Sequence, residues 1–348
     1  MTALTVPATL EEDASLRPVP WRRMAWVTWR QHRIALAGVA AFVGALAAWL
    51  WIAGLRLRHA YAAATACHPG SPACADLITN FNNMNNFLVG GYVLQAVPAL
   101  IGAFAGAPLL ARELETGTFR YAWTQGFGRW RWTLAKLVPL AVVVAAAAAA
   151  ISVLFSWYYQ PYFATGNQAL SLSEAPPLAA GLFGLRGVAF AAWTLAAFAT
   201  GALAGMLIRR VVPAIAATLA AYAALAFAAG GFLRPHYLTP LVTSNPNVPG
   251  SAWIFSQWST KGGKFAFGGY PPDSLLNRFC SSVPSGPYGK GSPQAFVQCL
   301  SQHGYTQWTS YQPASRFWPF QWIEGGWLLA LSALLITATV WLVRRRAA

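Results

Sequence analysis

Six stretches without a single charged residue set what this chain can become. They cover 34–55, about 87–111, about 137–157, the stretch between Arg186 and Arg209, the one between Arg210 and Arg234, and the one between Glu324 and Arg344. A helix rises 1.5 Å per residue, so about 20 apolar residues cross the hydrocarbon of a bilayer. Each stretch is long enough to span. Charged residues make up only 9% of the chain, against about 25% in soluble domains. So few charges cannot cover a water-facing surface of this size. The expected fold is an all-α polytopic membrane protein with six transmembrane helices.

Pro98, Pro108 and Pro213 fall inside these stretches. Membrane helices tolerate them because neighbours re-satisfy the freed backbone groups. Gly102 with Gly106, and Gly201 with Gly205, have the spacing that lets helices approach closely. Glycine and alanine are abundant here, and chance spacing is the reading preferred from sequence.

Lysine and arginine fix the orientation. The N-terminal segment, the 112–136 loop, the Arg209–Arg210 turn and the C-terminal tail hold fifteen basic residues, while the alternate short loops hold only Arg56, Arg58 and Arg186. Both termini are therefore expected in the cytoplasm. The net charge of +15 belongs to helix ends facing that side, and no nucleic-acid partner is implied. Glu11, Glu12 and Asp13 precede the basic cluster, so a cleaved signal is not expected. Alanine runs and a preference for arginine over lysine suggest a GC-rich bacterial genome. The expected location is a bacterial cell (inner) membrane, with multiple passes.

The expected organisation follows: residues 1–33 form a cytoplasmic tail and interfacial helix, and 34–233 hold the first five spans. Residues 234–323 form a large external loop module, and 324–348 hold the last span and a basic tail. In the interfacial segment Trp21, Trp26 and Trp29 alternate with Arg22, Arg23 and Arg30, which suits a helix lying among lipid headgroups. In the large loop, 292–303 reads as a short helix with Ser292 as cap and Pro293 at its first position. The aromatic-rich segment 311–322 then leads back to the membrane.

Cys67 and Cys74 fall in the first external loop, Cys280 and Cys299 in the last. An external compartment permits disulfides. Four cysteines allow three pairings. Cys67–Cys74 and Cys280–Cys299 are preferred because they close short loops. Metal binding by the first pair with His68 is the rival, though the spacing is not that of a zinc site.

No motif carries catalysis. A Gly-Lys near 289–290 lacks P-loop spacing, and the five histidines are scattered. None of the nine acids is placed deep in a span by the sequence, whereas a proton-coupled transporter keeps such a group at membrane depth. No catalytic residue, metal or directly bound cofactor is expected. If this protein moves something, its energy enters from elsewhere.

The loop 112–136, RELETGTFRYAWTQGFGRWRWTLAK, carries both charge signs. A loop serving topology alone would need only the bases. Its pattern of acid-x-acid-x-Gly-Thr, then arginine, then lysine at the next helix, resembles the permease subunits of type-2 ATP-binding cassette exporters. Here those positions are Glu113, Glu115, Gly117, Thr118, Arg129 and Lys136. The resemblance implies six spans with both termini inside. It also implies a coupling role toward a separate cytoplasmic ABC ATPase for 112–136, including Arg112 and Arg131. ATP-Mg would sit on that partner, and a permease homodimer among membrane lipids would form the path. The large loop departs from the family pattern. The alternatives are a non-transporting sensor or assembly protein using that loop to bind a partner, and a membrane enzyme acting on a lipid or glycan.

Overall fold

A computed structural model describes residues 21–68, 70–84, 87–117, 129–164, 175–245, 248–269, 271–281 and 293–346. Among these, six helical stretches are long and apolar enough to cross a membrane: Ala40–Ala66, Val93–Thr116, Trp130–Phe163, Gly187–Ile208, Val211–His236 and Ala314–Arg345. The chain divides into two compact units. The first comprises residues 1–161, 181–235 and 321–348, the second 162–180 and 236–320.

The helices of the first unit begin with α1 (Trp21–Ala66) and α2 (Pro72–Asn83). Next come α3 (Phe87–Ile101), a π-turn over Gly102–Gly106, and α4 (Ala107–Thr116). Then follow α5 (Arg129–Ala164), the single turn α6 (Ala180–Phe183), α7 (Gly187–Ile208) and α8 (Val211–Ala228). A second π-turn, Ala229–Leu233, leads to Arg234. The interfacial helix is not a separate element: α1 runs unbroken for 46 residues. At 1.5 Å per residue that is roughly 69 Å, over twice the thickness of the hydrocarbon, so α1 must project beyond it. The side chains of Trp21, Arg22, Arg23, Trp26, Trp29 and Arg30 lie outside the described ones.

Helix α7 is the centre of this unit. Most of its residues are buried, on all faces, as expected of a helix enclosed by others. Residues Leu109, Leu137, Leu140, Phe198 and Ala202 form one apolar cluster. Ala107, Ala111 and Ala214 form another. Leu110, Met206 and Val343 meet in a third, with Leu114, Trp132 and Leu342 packed against it. That third cluster gathers α4, the start of α5 and the end of α7 at one end of the bundle.

The second unit departs from the all-helical expectation. It holds β1 (Leu241–Thr243), β2 (Trp253–Lys261), β3 (Lys264–Gly268), α9 (Asp273–Phe279), α10 (Pro293–Gln302) and β4 (Tyr305–Gln312). The strands form an antiparallel sheet of order β1-β4-β2-β3. Gly262 and Gly263 take positive φ between β2 and β3, the conformation a two-residue hairpin needs. Cys280 and Cys299 are bonded and sit in a small core with Phe267 and Leu300. Helix α10 begins at Pro293 as expected, while the cap position Ser292 lies outside the described residues. Of the segment 311–322, expected to return as an aromatic belt, Tyr311 and Gln312 end strand β4, and 317–322 open the last helix, α11 (Phe317–Arg346).

The preferred cysteine pairing is the one formed, since Cys67 is bonded to Cys74 as well. That first bond ties the end of α1 to α2, where the sequence predicts a loop. Ser71 caps it through Oγ, which accepts from the Cys74 N–H at 3.2 Å, and Pro72 opens it.

Candidate coupling site

Helix α4 buries Ala107, Leu109, Leu110 and Ala111 and exposes Arg112. It stops at Gly117, whose φ of 71° and ψ of 4° are left-handed. A side chain is disfavoured in that conformation, and glycine ends helices by adopting it. The Gly-Thr of the motif therefore marks a physical stop. Thr118 and the rest of 118–128 lie outside the described residues, as does the side chain of Arg129.

Both acids of the motif are engaged. Glu113 Oε1 pairs with Lys136 Nζ across from α5. Lys136 is 5% exposed, and its Nζ also lies 4.3 Å from the centre of the Trp132 ring. Glu113 Oε2 is buried with no hydrogen-bond partner among the described residues. Glu115 Oε2 accepts from the backbone N–H of Val211 at 3.0 Å. Val211 opens α8, where the helix dipole favours a carboxylate. The structure thus brings together Glu113 with Lys136, and Glu115 with the turn that follows α7. Arg131 lies 5.3 Å from the Trp130 ring. Arg112 stands exposed beside them.

Above this site α3, its π-turn and α4 cross α7 on glycine. A Cβ on Gly201 would lie 2.2 Å from Gly102 O, and one on Gly205 would lie 2.3 Å from Ala107 O. A Cβ on Gly102 would lie 2.6 Å from Ala197 O, and one on Gly106 2.5 Å from Phe198 O. The four glycines are the contact, so the chance reading of their spacing is wrong. Backbones this close need small residues, and the π-turn sits at the crossing.

The opposite end of the bundle holds a polar cluster that the sequence reading missed. Glu324, 0% exposed, takes Arg234 Nε on Oε2 at 2.9 Å and Arg234 Nη2 on Oε1 at 2.7 Å. Its Oε1 also accepts from Trp193 Nε1 at 2.8 Å. Three residues earlier, Gln321 Oε1 accepts from the Ala189 N–H at 2.8 Å, and its Nε2 donates to Phe183 O at 3.0 Å. The start of α7 is thus satisfied by the last helix. Gly187 has φ of 62°, and a Cβ there would strike Gln321 Oε1 at 2.7 Å. Beside it, burial draws the Arg186 guanidinium down to about 10, still charged at neutral pH. Glu324 and Arg234 had been read as the boundaries of spans. The helical stretches Ala314–Arg345 and Val211–His236 nevertheless extend past them. Their opposite signs, at the two ends of the large loop, were the available signal.

Residues 40–234 match a family described as ABC-2 membrane transporter related. This chain belongs to that family. As an ABC-2 transporter-related protein it is a multi-pass membrane chain, in keeping with its six apolar helices. The match covers the glycine crossing, both acids of the coupling motif and Lys136. It ends at Arg234, before the sheet-bearing unit. No curated protein and no solved structure matches the chain.

Proposed function

We propose that this chain is the permease subunit of an ABC exporter, forming the translocation path and driven by a separate cytoplasmic ATPase. The observation that carries this reading is the pair of ties at the coupling segment: Glu113 to Lys136, and Glu115 to the Val211 N–H. A force on 112–117 would be felt at once by α4, α5 and α8. The chain itself holds no catalytic residue in this reading, and ATP-Mg is bound and hydrolysed on the partner. Two copies enclose the path, both termini face the cytoplasm of a bacterium, and both disulfides face outward. ATP binding then biases a bistable set of helices toward the outward state.

Co-purification from membranes with a P-loop ATPase tests this reading. Gly117→Trp forces a large side chain into a left-handed position, and Glu115→Arg reverses the charge at α8. Loss of the ATPase in both variants is expected. Retention in both, or no ATPase with the wild-type chain, overturns the reading.

A second reading, a sensor or assembly protein that transports nothing, draws on the separate unit 236–320 with its own sheet and disulfide. It needs no ATPase, so the same experiment separates the two.

A further inference from the structure

One end of the sheet gathers positive charge. Lys261 ends β2 and Lys264 begins β3, and the two are paired across the Gly262–Gly263 turn. Like charges directly opposite each other destabilise a sheet. Lys261 also pairs with Tyr305 of β4. Its Nζ lies 4.5 Å from the centre of the Tyr305 ring and 5.6 Å from that of Phe279. Phe279 draws in two more groups. The Arg278 guanidinium lies 5.3 Å from its ring centre, and the His303 ring meets it edge-on with centroids 4.7 Å apart. Lys261, Lys264, Arg278 and His303 are all exposed.

Among the described residues no carboxylate pairs with these cations. Segment 236–320 carries five lysines and arginines against one acid, Asp273. Asp273 opens α9, whereas Arg278 lies in its last turn. The ion pairs among the described residues are Glu113–Lys136 and Arg234–Glu324. Cation–π contacts hold Lys261 and Arg278 beside the rings without neutralising them. Lysine on an edge strand also deters pairing with other chains. That accounts for Lys264 on β3, but not for Lys261 on the inner strand β2, nor for Arg278 and His303.

We propose that this patch binds an extended polyanion, a chain of repeated phosphate groups. With the orientation proposed above, the polymer is met outside the cell, but the binding itself needs neither that orientation nor an ATPase. An acidic protein fits less well. Protein interfaces centre on buried aromatic anchors and are depleted in lysine, and here Phe279 and Tyr305 are already flanked by cations. Separate exposed charges, with no local acid to compensate them, suit charges that repeat along a flexible chain. Arg278 adds a planar fork that matches phosphate. Phe265, 70% exposed beside Lys264, makes an anionic lipid surface the competing occupant. Strand β4 runs from Tyr305, beside the patch, to Gln312, roughly 24 Å along the strand, and β1 pairs with that far end. Both connections of the sheet to the helices leave from there, which favours an occupant from solution.

The full chain is placed in nanodiscs of zwitterionic lipid and treated with an amine-acylating reagent, and mass spectrometry reads the modification of Lys261 and Lys264 separately. Long-chain inorganic polyphosphate should protect both lysines, and orthophosphate at equal phosphate concentration should not. Arg278→Gln/His303→Gln should raise the polyphosphate concentration for half-protection of Lys264 by about tenfold. Arg278 and His303 lie beside the Phe279 that packs on the Cys280 core, so Lys264→Gln, at the exposed turn, serves as a second variant. Read at Lys261, it should give a rise of about threefold. Arg344→Gln, an exposed position in the helical unit, should change nothing. No protection, equal protection by orthophosphate, or half-protection unmoved in either variant that keeps its melting temperature overturns the proposal. So does stronger protection by poly-glutamate, which would assign the patch to an acidic polypeptide. Protection by anionic lipid added to the nanodisc, with no polyphosphate present, would assign it to the membrane and overturn the proposal as well. None of these outcomes bears on the ATPase co-purification that tests the permease reading.

Discussion

Glu324 holds Arg234 in a two-point ion pair, 2.9 and 2.7 Å, with neither side chain more than 6% exposed. A buried guanidinium or carboxylate without its partner is costly, and removing one member of such a pair costs about 3–5 kcal/mol. Glu324→Ala should therefore destabilise the detergent-solubilised chain by that order, read as a lower melting temperature. Replacing both, with Arg234→Met and Glu324→Leu, should recover most of the loss. A single variant no more harmful than the exposed Arg278→Ala would show that the pair carries no structural weight.

The glycine crossing makes a sharper contrast. Gly201→Ala places a Cβ against the backbone of Gly102, which cannot yield as a side chain would. A cost of about 1–3 kcal/mol is expected. Gly38 has nothing within 4 Å, so Gly38→Ala should be neutral or stabilise by up to about 1 kcal/mol. Thermal unfolding of the two variants side by side checks this. Equal behaviour would mean that α4 and α7 do not meet as described.

The Cys280–Cys299 bond closes a loop of sequence separation 19. Removing it as Cys280→Ser/Cys299→Ser should destabilise the sheet-bearing unit by about 2–4 kcal/mol. Limited proteolysis is the measurement. Faster cleavage within 236–320, with the helical unit still resistant, is the expected result.

Sidedness is open to labelling. With the four native cysteines bonded, Lys264→Cys should react with an impermeant thiol reagent on intact cells. Arg112→Cys should react only after permeabilisation. The opposite pattern would invert the orientation proposed for every helix.

The spans were legible because charge is so costly in hydrocarbon that its absence marks a window. The same rule does not show how far a helix runs past its window. Glu324 was taken as an end, but its charge is cancelled by Arg234, so α11 runs on both sides of it. Pairing between distant residues is invisible to a linear scan. The glycines at 102, 106, 201 and 205 were seen, but spacing along one helix cannot show which face a second helix occupies. The sheet was missed because a loop rich in Pro, Gly and Ser reads as irregular, although Gly262–Gly263 sits between two aromatic, β-prone runs. At the coupling site the acids were legible as a motif. Their attachments to Lys136 and to the Val211 N–H were not, the second being a backbone group no pattern announces.

Cross-linking from Thr116 tests the central claim most directly. Thr116 is exposed on the last turn of α4 and can carry a photoreactive residue without disturbing Glu113 or Glu115. Irradiated in membranes, a probe at position 116 should capture a nucleotide-binding subunit, and one at position 264 should not. Capture from 264 in place of 116, or from neither, would contradict a permease worked through its 112–136 segment.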